Sequence, residues 1–289
     1  MFQGGTALTG DIRIAISTLE YNDPLQRKLL KDNQWTHQQF TLIDWKAFHM
    51  AFRRVPRSHR ISITKLSHQL WNTNCQNNKY YGQSAACPIC QHPNETIAHI
   101  FQCPHEDAAS HRKGALEVLS TNIKNGSPHI LQEVIMSGIQ QWIAAGTSNL
   151  TSPMNGSRLP SFQILNAAFE AQSYIGWEAF HRGHLTHQWR EAFRQHYRPK
   201  RELSPAQLLA VEERWLRLLI TSVWAYSEKL WQFRNKVVHG QTESFKISKA
   251  TRQLHTTVRD LYAQFTSDPL CSQLQGDIYF IAPSRILSA

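Results

Sequence analysis

Hydrophobic residues recur every three or four positions along most of the chain, which is the spacing of one face of an α-helix. In the first half this pattern predicts helices over 24–32, 38–54, 106–122 and 129–144, and a turn followed by a helix within 59–72. In the second half it predicts helices over 162–182, 184–197, 204–239 and 243–266. The predicted fold class is therefore mainly α.

The helix over 204–239 has the clearest start and stop signals. Ser204 suits an N-cap, Pro205 suits the first helical position, and Gln207 can complete a capping box. Gly240 is a typical stop. At the helical rise, these roughly 35 residues extend about 50 Å.

Segments without helical spacing divide the pattern. Residues 145–161, AGTSNLTSPMNGSRLPS, have the composition of a linker and predict a domain boundary. We therefore expect a basic helical domain over 1–144 and a helical bundle over 162–289. Residues 72–86 are polar and predict turns, and residues 277–287 are compatible with a short strand or an extended segment.

Composition limits the class of protein. With 289 residues and 41% hydrophobic content the chain can fill a sizeable core, which disfavours a disordered chain. No run of about 18 apolar residues is present, so we expect no membrane partner. The first residues lack the pattern of a secretory signal, and five cysteines argue against a disulfide framework. These observations predict a reducing compartment, the nucleus or the cytoplasm.

The charge is strongly positive and clustered. Thirty-one Lys and Arg against 21 Asp and Glu give a net charge of +10, which indicates an anionic partner such as RNA or DNA. Two basic clusters supply the candidate nucleic-acid-binding residues. They are Lys46, Arg53, Arg54, Arg57, Arg60 and Lys65 in the first cluster, and Arg190, Arg194, Arg198, Lys200 and Arg201 in the second, which begins at Arg182.

A cysteine and histidine cluster, CPICQHPNETIAHIFQC, is the sharpest chemical signal. Its spacing suits a tetrahedral Zn²⁺ site, because a CxxC turn places two thiolates beside one metal and ligands four apart lie on one helix face. The predicted ligands are Cys87, Cys90, His99 and Cys103. His92 and His105 are close enough to replace His99. Four protein ligands leave no open position, so the predicted zinc is structural and holds a small CCHC module over about 80–106.

The order CPxC, ET, His and a closing Cys resembles the zinc-binding segment in the C-terminal region of non-LTR-type retroelement proteins, which follows their reverse transcriptase. The resemblance covers about 40–105, including a basic helix with a Trp within 59–73. It implies a zinc-stabilised protein that contacts RNA or DNA, similar to the tail of a retroelement polyprotein. No polymerase YxDD-like motif is present, so we expect no polymerase activity.

The segment LWQFRNKVVHG also resembles the Arg–polar–x3–His signature of HEPN domains, many of which are metal-independent RNases. This resemblance implies Arg234, Asn235 and His239 as alternative catalytic residues, with His as an acid or base and Arg stabilising the phosphate. Five residues on a helix separate Arg234 and His239 by about 140°, so they converge only if the helix ends early or a dimer shares the site. A third alternative is an interaction module that forms a homodimer through the C-terminal bundle.

Other histidines and tryptophans admit two interpretations. His181, His184 and His187 are three apart and favour a basic nucleic-acid face over a metal site. Most Trp residues are expected in the core, and Trp71 and Trp189 are candidates for base stacking because basic clusters adjoin them.

Overall fold

The structure is a computed structural model that describes residues 2–3, 6–7, 23–124, 126–146, 150–199, 202–240 and 243–267. Strand β1 (Phe2–Gln3) pairs antiparallel with β2 (Thr6–Ala7), with Phe2 opposite Ala7. All longer described elements are helices, which confirms a mainly α fold. They are α1 (Asp23–Asn33), α2 (His37–Leu42), α3 (Trp45–Arg54), α4 (Arg57–Ser67), α5 (Asn74–Tyr81), α6 (Ile97–Gln102), α7 (Glu106–Lys124), α8 (His129–Ala145), α9 (Pro160–Ile175), α10 (Trp177–His181), α11 (Gln188–His196), α12 (Pro205–His239) and α13 (Glu243–Ser267).

The chain divides at 231/232 into two compact units, and the first contains one main hydrophobic core. Trp142 of α8, Phe169 of α9 and Ile220 of α12 are all buried in that core. The segment over 145–161 therefore connects helices that pack together, and the boundary predicted there does not divide the described fold. Its described loop residues, 150–159, are mostly at the surface, and polar and glycine-rich composition is typical of surface loops as well as of linkers.

The second unit begins at Gln232. Its described part consists of the end of α12 and all of α13. Within α13, Leu254 and Leu261 are 60% and 51% exposed although their spacing is that of a helix face. The tail over 277–287 lies outside the described residues.

Two predicted helices are interrupted. The helix predicted over 38–54 breaks at Ile43 and Asp44, where the Asp44 carboxylate accepts a hydrogen bond from the Ala47 N–H and starts α3. The helix predicted over 162–182 breaks at Gly176, whose φ of 96° is unfavourable for residues with a side chain. Periodicity alone could not show these breaks because the hydrophobic spacing continues across both of them.

Start signals were more informative than composition. At α12, the Gln207 N–H donates to the Ser204 hydroxyl at 3.3 Å and the Ser204 N–H donates to the Gln207 side chain at 3.0 Å, which confirms the capping box. By contrast, the polar residues predicted as turns over 72–86 include helix α5. Its cap is Thr73, whose hydroxyl accepts the Gln76 N–H.

In the described part of the chain, no helix has the length and hydropathy needed to cross a membrane.

Candidate metal centre and basic surface

The four predicted ligands are brought together. One ligand atom from each of Cys87, Cys90, His99 and Cys103 lies within 4.8 Å of the other three. The Cys90 Sγ and the His99 Nε2 are 3.2 Å apart. Cys87 and Cys103 are almost fully buried, while Cys90 and His99 are half-buried. This group can hold a metal ion, and we call it the metal centre.

Local hydrogen bonds explain how the sequence forms the metal centre. The turn after Cys87 is closed by two bonds, from the Gln91 N–H to the Cys87 carbonyl and from the Cys87 N–H to the His92 carbonyl. Gln91 has a φ of 61°, which permits the tight reversal. The Thr96 hydroxyl then accepts the His99 N–H at 3.1 Å and caps the start of α6.

A buried carboxylate fixes the metal centre to the preceding helix. Glu95 is 1% exposed, and its Oε2 accepts the Asn74 N–H at 2.7 Å at the start of α5. The Glu95 carbonyl also accepts the Cys75 N–H. On the other side, the Arg112 guanidinium donates to the Cys103 carbonyl at 3.0 Å. These three attachments hold both ends of the ligand segment against helices α5 and α7.

Burial determines the protonation of the ligands when no cation neutralises them. It raises the pKa of Cys87, and it raises the pKa of Cys103 to about 12 with a contribution from the neighbouring thiols. Burial also lowers the pKa of His99. Burial therefore favours the thiol forms of Cys87 and Cys103 and the neutral imidazole of His99, and a bound cation would favour the two thiolates that burial otherwise disfavours.

The alternative ligands have other roles. His92 stacks on the His99 ring with centroids 4.7 Å apart, and its Nδ1 contacts the backbone of Asn94. The His105 Nδ1 faces Asp107. Neither ring belongs to the group of converging ligand atoms, so His99 is the histidine of the metal centre.

The first predicted basic cluster lies mostly on the surface. Arg53, Arg54, Arg57 and Lys65 are exposed on α3 and α4, and the half-buried Arg60 donates to the carbonyls of Val55 and Arg53. We call the set Arg53, Arg54, Arg57, Arg60 and Lys65 the basic surface. Lys46, predicted with this cluster, instead forms an ion pair with Glu213 at 2.8 Å.

Part of the second predicted cluster has an internal structural role. The Arg190 guanidinium donates to the Asp44 carboxylate at 2.7 Å, and Arg194 donates to Glu212 at 2.8 and 3.0 Å. Both carboxylates are nearly fully buried. These arginines compensate buried negative charge, so less of their charge is available to phosphates.

The remaining residues of that cluster differ from one another. Arg182 is buried and donates to the side chain of Asn33. Arg198 is exposed and donates to the carbonyls of Gln195 and Tyr197. Lys200 and Arg201 lie outside the described residues.

The alternative catalytic residues do not converge within one chain. Helix α12 continues to His239, so Arg234 and His239 point about 140° apart around the same helix. Arg234 is 3% exposed and donates to the Asn235 side chain, whereas His239 is exposed. This geometry gives no support to an RNase centre built from a single copy.

Burial contradicts two predicted contacts with nucleic acid, the one at the histidine group and the one at the stacking tryptophans. His181 and His184 are 0% and 1% exposed, so the prediction that they form part of a nucleic-acid-binding face is wrong. Trp71 stacks on Trp231 with centroids 4.8 Å apart, and Trp189 is fully buried. The predicted stacking role is therefore wrong for Trp71 and Trp189 in this structure.

Two exposed tyrosines were missed at the sequence level. Tyr80 and Tyr81 end α5 and are 61% and 74% exposed. The Lys79 ammonium lies 5.5 Å from the centroid of the Tyr80 ring. Adjacent aromatic residues after a lysine were the available signal, and an exposed pair of this kind can stack on unpaired bases.

Comparison with known proteins gives no relative: no protein-family model, curated protein or solved structure matches the chain.

Proposed function

We propose that this chain is a zinc-stabilised protein that binds RNA or DNA through the phosphate backbone, with a structural role for the metal. The observation that carries the proposal is the convergence of Cys87, Cys90, His99 and Cys103. The basic surface belongs to the same compact unit and supplies the phosphate contacts.

The donor set supports zinc over harder cations. Three sulfurs and one imidazole nitrogen are the soft ligands that Zn²⁺ prefers, whereas Mg²⁺ and Ca²⁺ prefer oxygen. In a tetrahedral site with bonds of about 2.0–2.3 Å, ligand atoms are about 3.3–3.8 Å apart. The ligand atoms here lie within 4.8 Å of one another, so small side-chain rotations suffice to reach that spacing. Zinc bound by four protein ligands supplies stability and holds the segment in shape.

The metal proposal is tested with purified protein and a matched cysteine control. We expect one zinc per chain by elemental analysis, lost in Cys87→Ser and Cys103→Ser, while Cys75→Ser keeps its metal. Cys75 lies on α5 next to the metal centre but outside the ligand group. Metal-free wild-type protein, or full zinc content in both ligand variants, would contradict the proposal.

Exposed arginines support backbone binding. Arg54 and Arg57 are exposed on consecutive helices, with Lys65 further along α4. Cations at such positions neutralise phosphates and release counterions, so affinity falls with salt. If five such side chains engage a duplex, the logarithmic salt slope is about −4.5, and on a single strand it is about −3.5.

A charge-matched pair of variants tests this surface. We expect Arg54→Gln/Arg57→Gln to reduce the salt slope by about 2 on a duplex, whereas Lys113→Gln/Lys124→Gln should change it less. The control lysines are also exposed but lie on α7. Fluorescence anisotropy with labelled RNA and DNA across a salt series measures the salt slope of both double variants. An equal reduction of the salt slope in the two double variants would show that only net charge matters. Binding that is insensitive to salt would refute the proposal.

We also propose a retroelement-derived origin, supported by the cysteine and histidine motif over 87–103. The role that follows is positioning of nucleic acid without polymerase activity. The test is incubation of the zinc-loaded protein with a primed template and nucleotides, in which primer extension would contradict this role.

A homodimer through the second unit is a separate proposal. Leu254, Val258 and Leu261 follow the four-and-three spacing of a helix–helix seam, and the two leucines are exposed. Light scattering after size-exclusion chromatography should give twice the chain mass for wild type and the chain mass for Leu254→Gln/Leu261→Gln. A monomeric wild type at micromolar concentration would refute it.

A further inference from the structure

An aromatic cavity of about 510 Å³ lies in the first unit, on the side formed by α1, α2, α3 and α4. Its flat walls include the rings of Phe40, Trp45, Phe48 and Phe52. Phe48 lies nearly parallel to the Phe52 ring, with an angle of 7° between the planes. A volume of this size falls within the range of about 300–1,000 Å³ that is typical of small-molecule sites.

Three side chains that line this aromatic cavity have a buried polar atom without a hydrogen-bond partner. These atoms are the Ser67 Oγ, the His68 Nδ1 and the His184 Nδ1. Ser67 and His184 are only 5% and 1% exposed. Burying a polar atom without a partner costs free energy, and most buried polar atoms in native structures are satisfied. These three atoms belong to residues that line one cavity, where a bound molecule could supply their missing partners.

The ionisable groups among the described lining residues are the three imidazoles of His49, His68 and His184. Among the described residues around the cavity there is no Asp, Glu, Lys or Arg. Burial, together with the nearby charges of Lys28 and Arg182, lowers the pKa of His68 despite the opposing effect of Asp32. Burial, Arg182 and His68 hold the pKa of His184 well below its usual value. Both imidazoles are therefore neutral near pH 7, and each can donate or accept a hydrogen bond according to its tautomer.

We propose that the aromatic cavity binds a neutral planar heteroaromatic ring with a hydrogen-bonding edge, namely a purine or pyrimidine base. Flat aromatic walls favour offset stacking on a planar ring. The unpaired atoms of Ser67, His68 and His184 are suited to the mixed donors and acceptors on the edge of a base. No Lys or Arg stands among the described lining residues to neutralise a phosphate or carboxylate inside the cavity. The proposal does not depend on phosphate binding at the basic surface, of which Arg60 lies 5.9 Å from the centroid of the Phe52 ring.

Binding is tested with free nucleosides and zinc-loaded full-length protein. Adenosine, guanosine, cytidine and uridine are titrated one at a time by isothermal calorimetry, and cyclohexanol serves as an apolar, non-planar control. We expect at least one nucleoside to bind with sub-millimolar affinity and cyclohexanol to bind far more weakly. No nucleoside binding up to millimolar concentration overturns the proposal, as does equal binding of cyclohexanol.

Two variants locate the site. Ser67→Ala and His68→Phe each remove one unpaired polar atom while keeping most of the side-chain shape. We expect each to weaken nucleoside binding by about three- to tenfold, the effect of one hydrogen bond. Ser58→Ala, on the exposed side of the same helix, should bind as wild type does. If both cavity variants fold and bind like wild type, the site lies elsewhere and the assignment is overturned.

A competition experiment separates the two sources of a base. A single-stranded oligonucleotide should displace the bound nucleoside if the cavity accepts an unpaired base of a strand, whereas the same sequence as a duplex should not. If the single strand does not compete, the ligand is a free nucleoside or base. Arg54→Gln/Arg57→Gln should leave nucleoside affinity unchanged, so failure at the basic surface and failure at the cavity give different results.

Discussion

The buried His181 gives the most direct prediction about stability. Its ring is fully buried, with the Phe101 and Trp142 rings at centroid distances of 4.6 and 4.7 Å. Neither ring nitrogen has a hydrogen-bond partner. Burial lowers the pKa of His181 to about 3, because the charged imidazolium loses its hydration in this aromatic environment.

The sign of the pH effect follows from this lowered pKa. The unfolded chain takes up a proton as the pH falls through 6.5, whereas the folded chain remains neutral at this ring until about pH 3. Stability is therefore complete above pH 6.5 and is lost progressively on acidification. The loss is about 2 kcal/mol at pH 5, and it approaches about 5 kcal/mol near pH 3.

Replacement of His181 by Phe should remove this dependence. The free energy of unfolding from urea titrations is compared at pH 7.5 and pH 5 for wild type and His181→Phe. We expect the wild type to lose about 2 kcal/mol more than the variant. At pH 7.5 the variant should be at least as stable, because it removes two polar atoms without partners.

The change in the free energy of unfolding between pH 7.5 and pH 5 is compared between wild type and variant. Other acid-sensitive contributions, including any release of metal from the metal centre, are common to both and cancel. His37→Gln is the control, since it removes an exposed histidine and retains the buried ring. The same loss of stability on acidification in wild type and His181→Phe would refute the reasoning about the buried ring.

Two further predictions concern packing and capping. A Cβ at Gly138 of α8 would lie 2.1 Å from the Trp177 ring, so Gly138→Ala should lower the free energy of unfolding by about 1–3 kcal/mol. Gly114 lies on α7 with open space around it, so Gly114→Ala should raise the free energy of unfolding by about 0.5–1 kcal/mol. Urea titrations measure both changes. Thr96→Ala removes the hydroxyl that caps α6, so it should lower the free energy of unfolding by about 1 kcal/mol. It should also weaken zinc binding, measured by competition with a chromogenic chelator. Unchanged stability and unchanged zinc affinity would contradict a role for this cap.

The sequence allowed accurate prediction where the determining residues are close together along the chain. Helices follow from spacing within a few turns, and the α12 capping box needs only Ser204 and Gln207. The metal centre was predictable for the same reason, since its four ligands fall within 17 residues. The choice of His99 over His92 and His105 needed the structure, in which only the His99 ring belongs to the converging ligand group.

Long-range partners could not be predicted in this way. Arg190 resembled a phosphate-binding residue until the structure placed it on Asp44, which lies 146 residues away in the sequence. The aromatic cavity likewise requires His184 to meet helices from the first 70 residues. A histidine sequence pattern does not distinguish an exposed face from a buried ring, because that depends on tertiary packing rather than on local spacing.

The short helix α6 explains why the metal centre should affect more than its own segment. It carries His99 and leads directly into Cys103, while Ile97, Ile100 and Phe101 of the same helix are buried in the main core. The side chain of Gln102 also donates to the Trp142 carbonyl of α8 at 2.9 Å. A helix of six residues has little stability of its own, so we expect its docking on this core to depend on a metal held by the ligand group. Chelation should therefore lower the unfolding midpoint of the first unit rather than melt an independent zinc finger, because loss of the ligands releases three core side chains together.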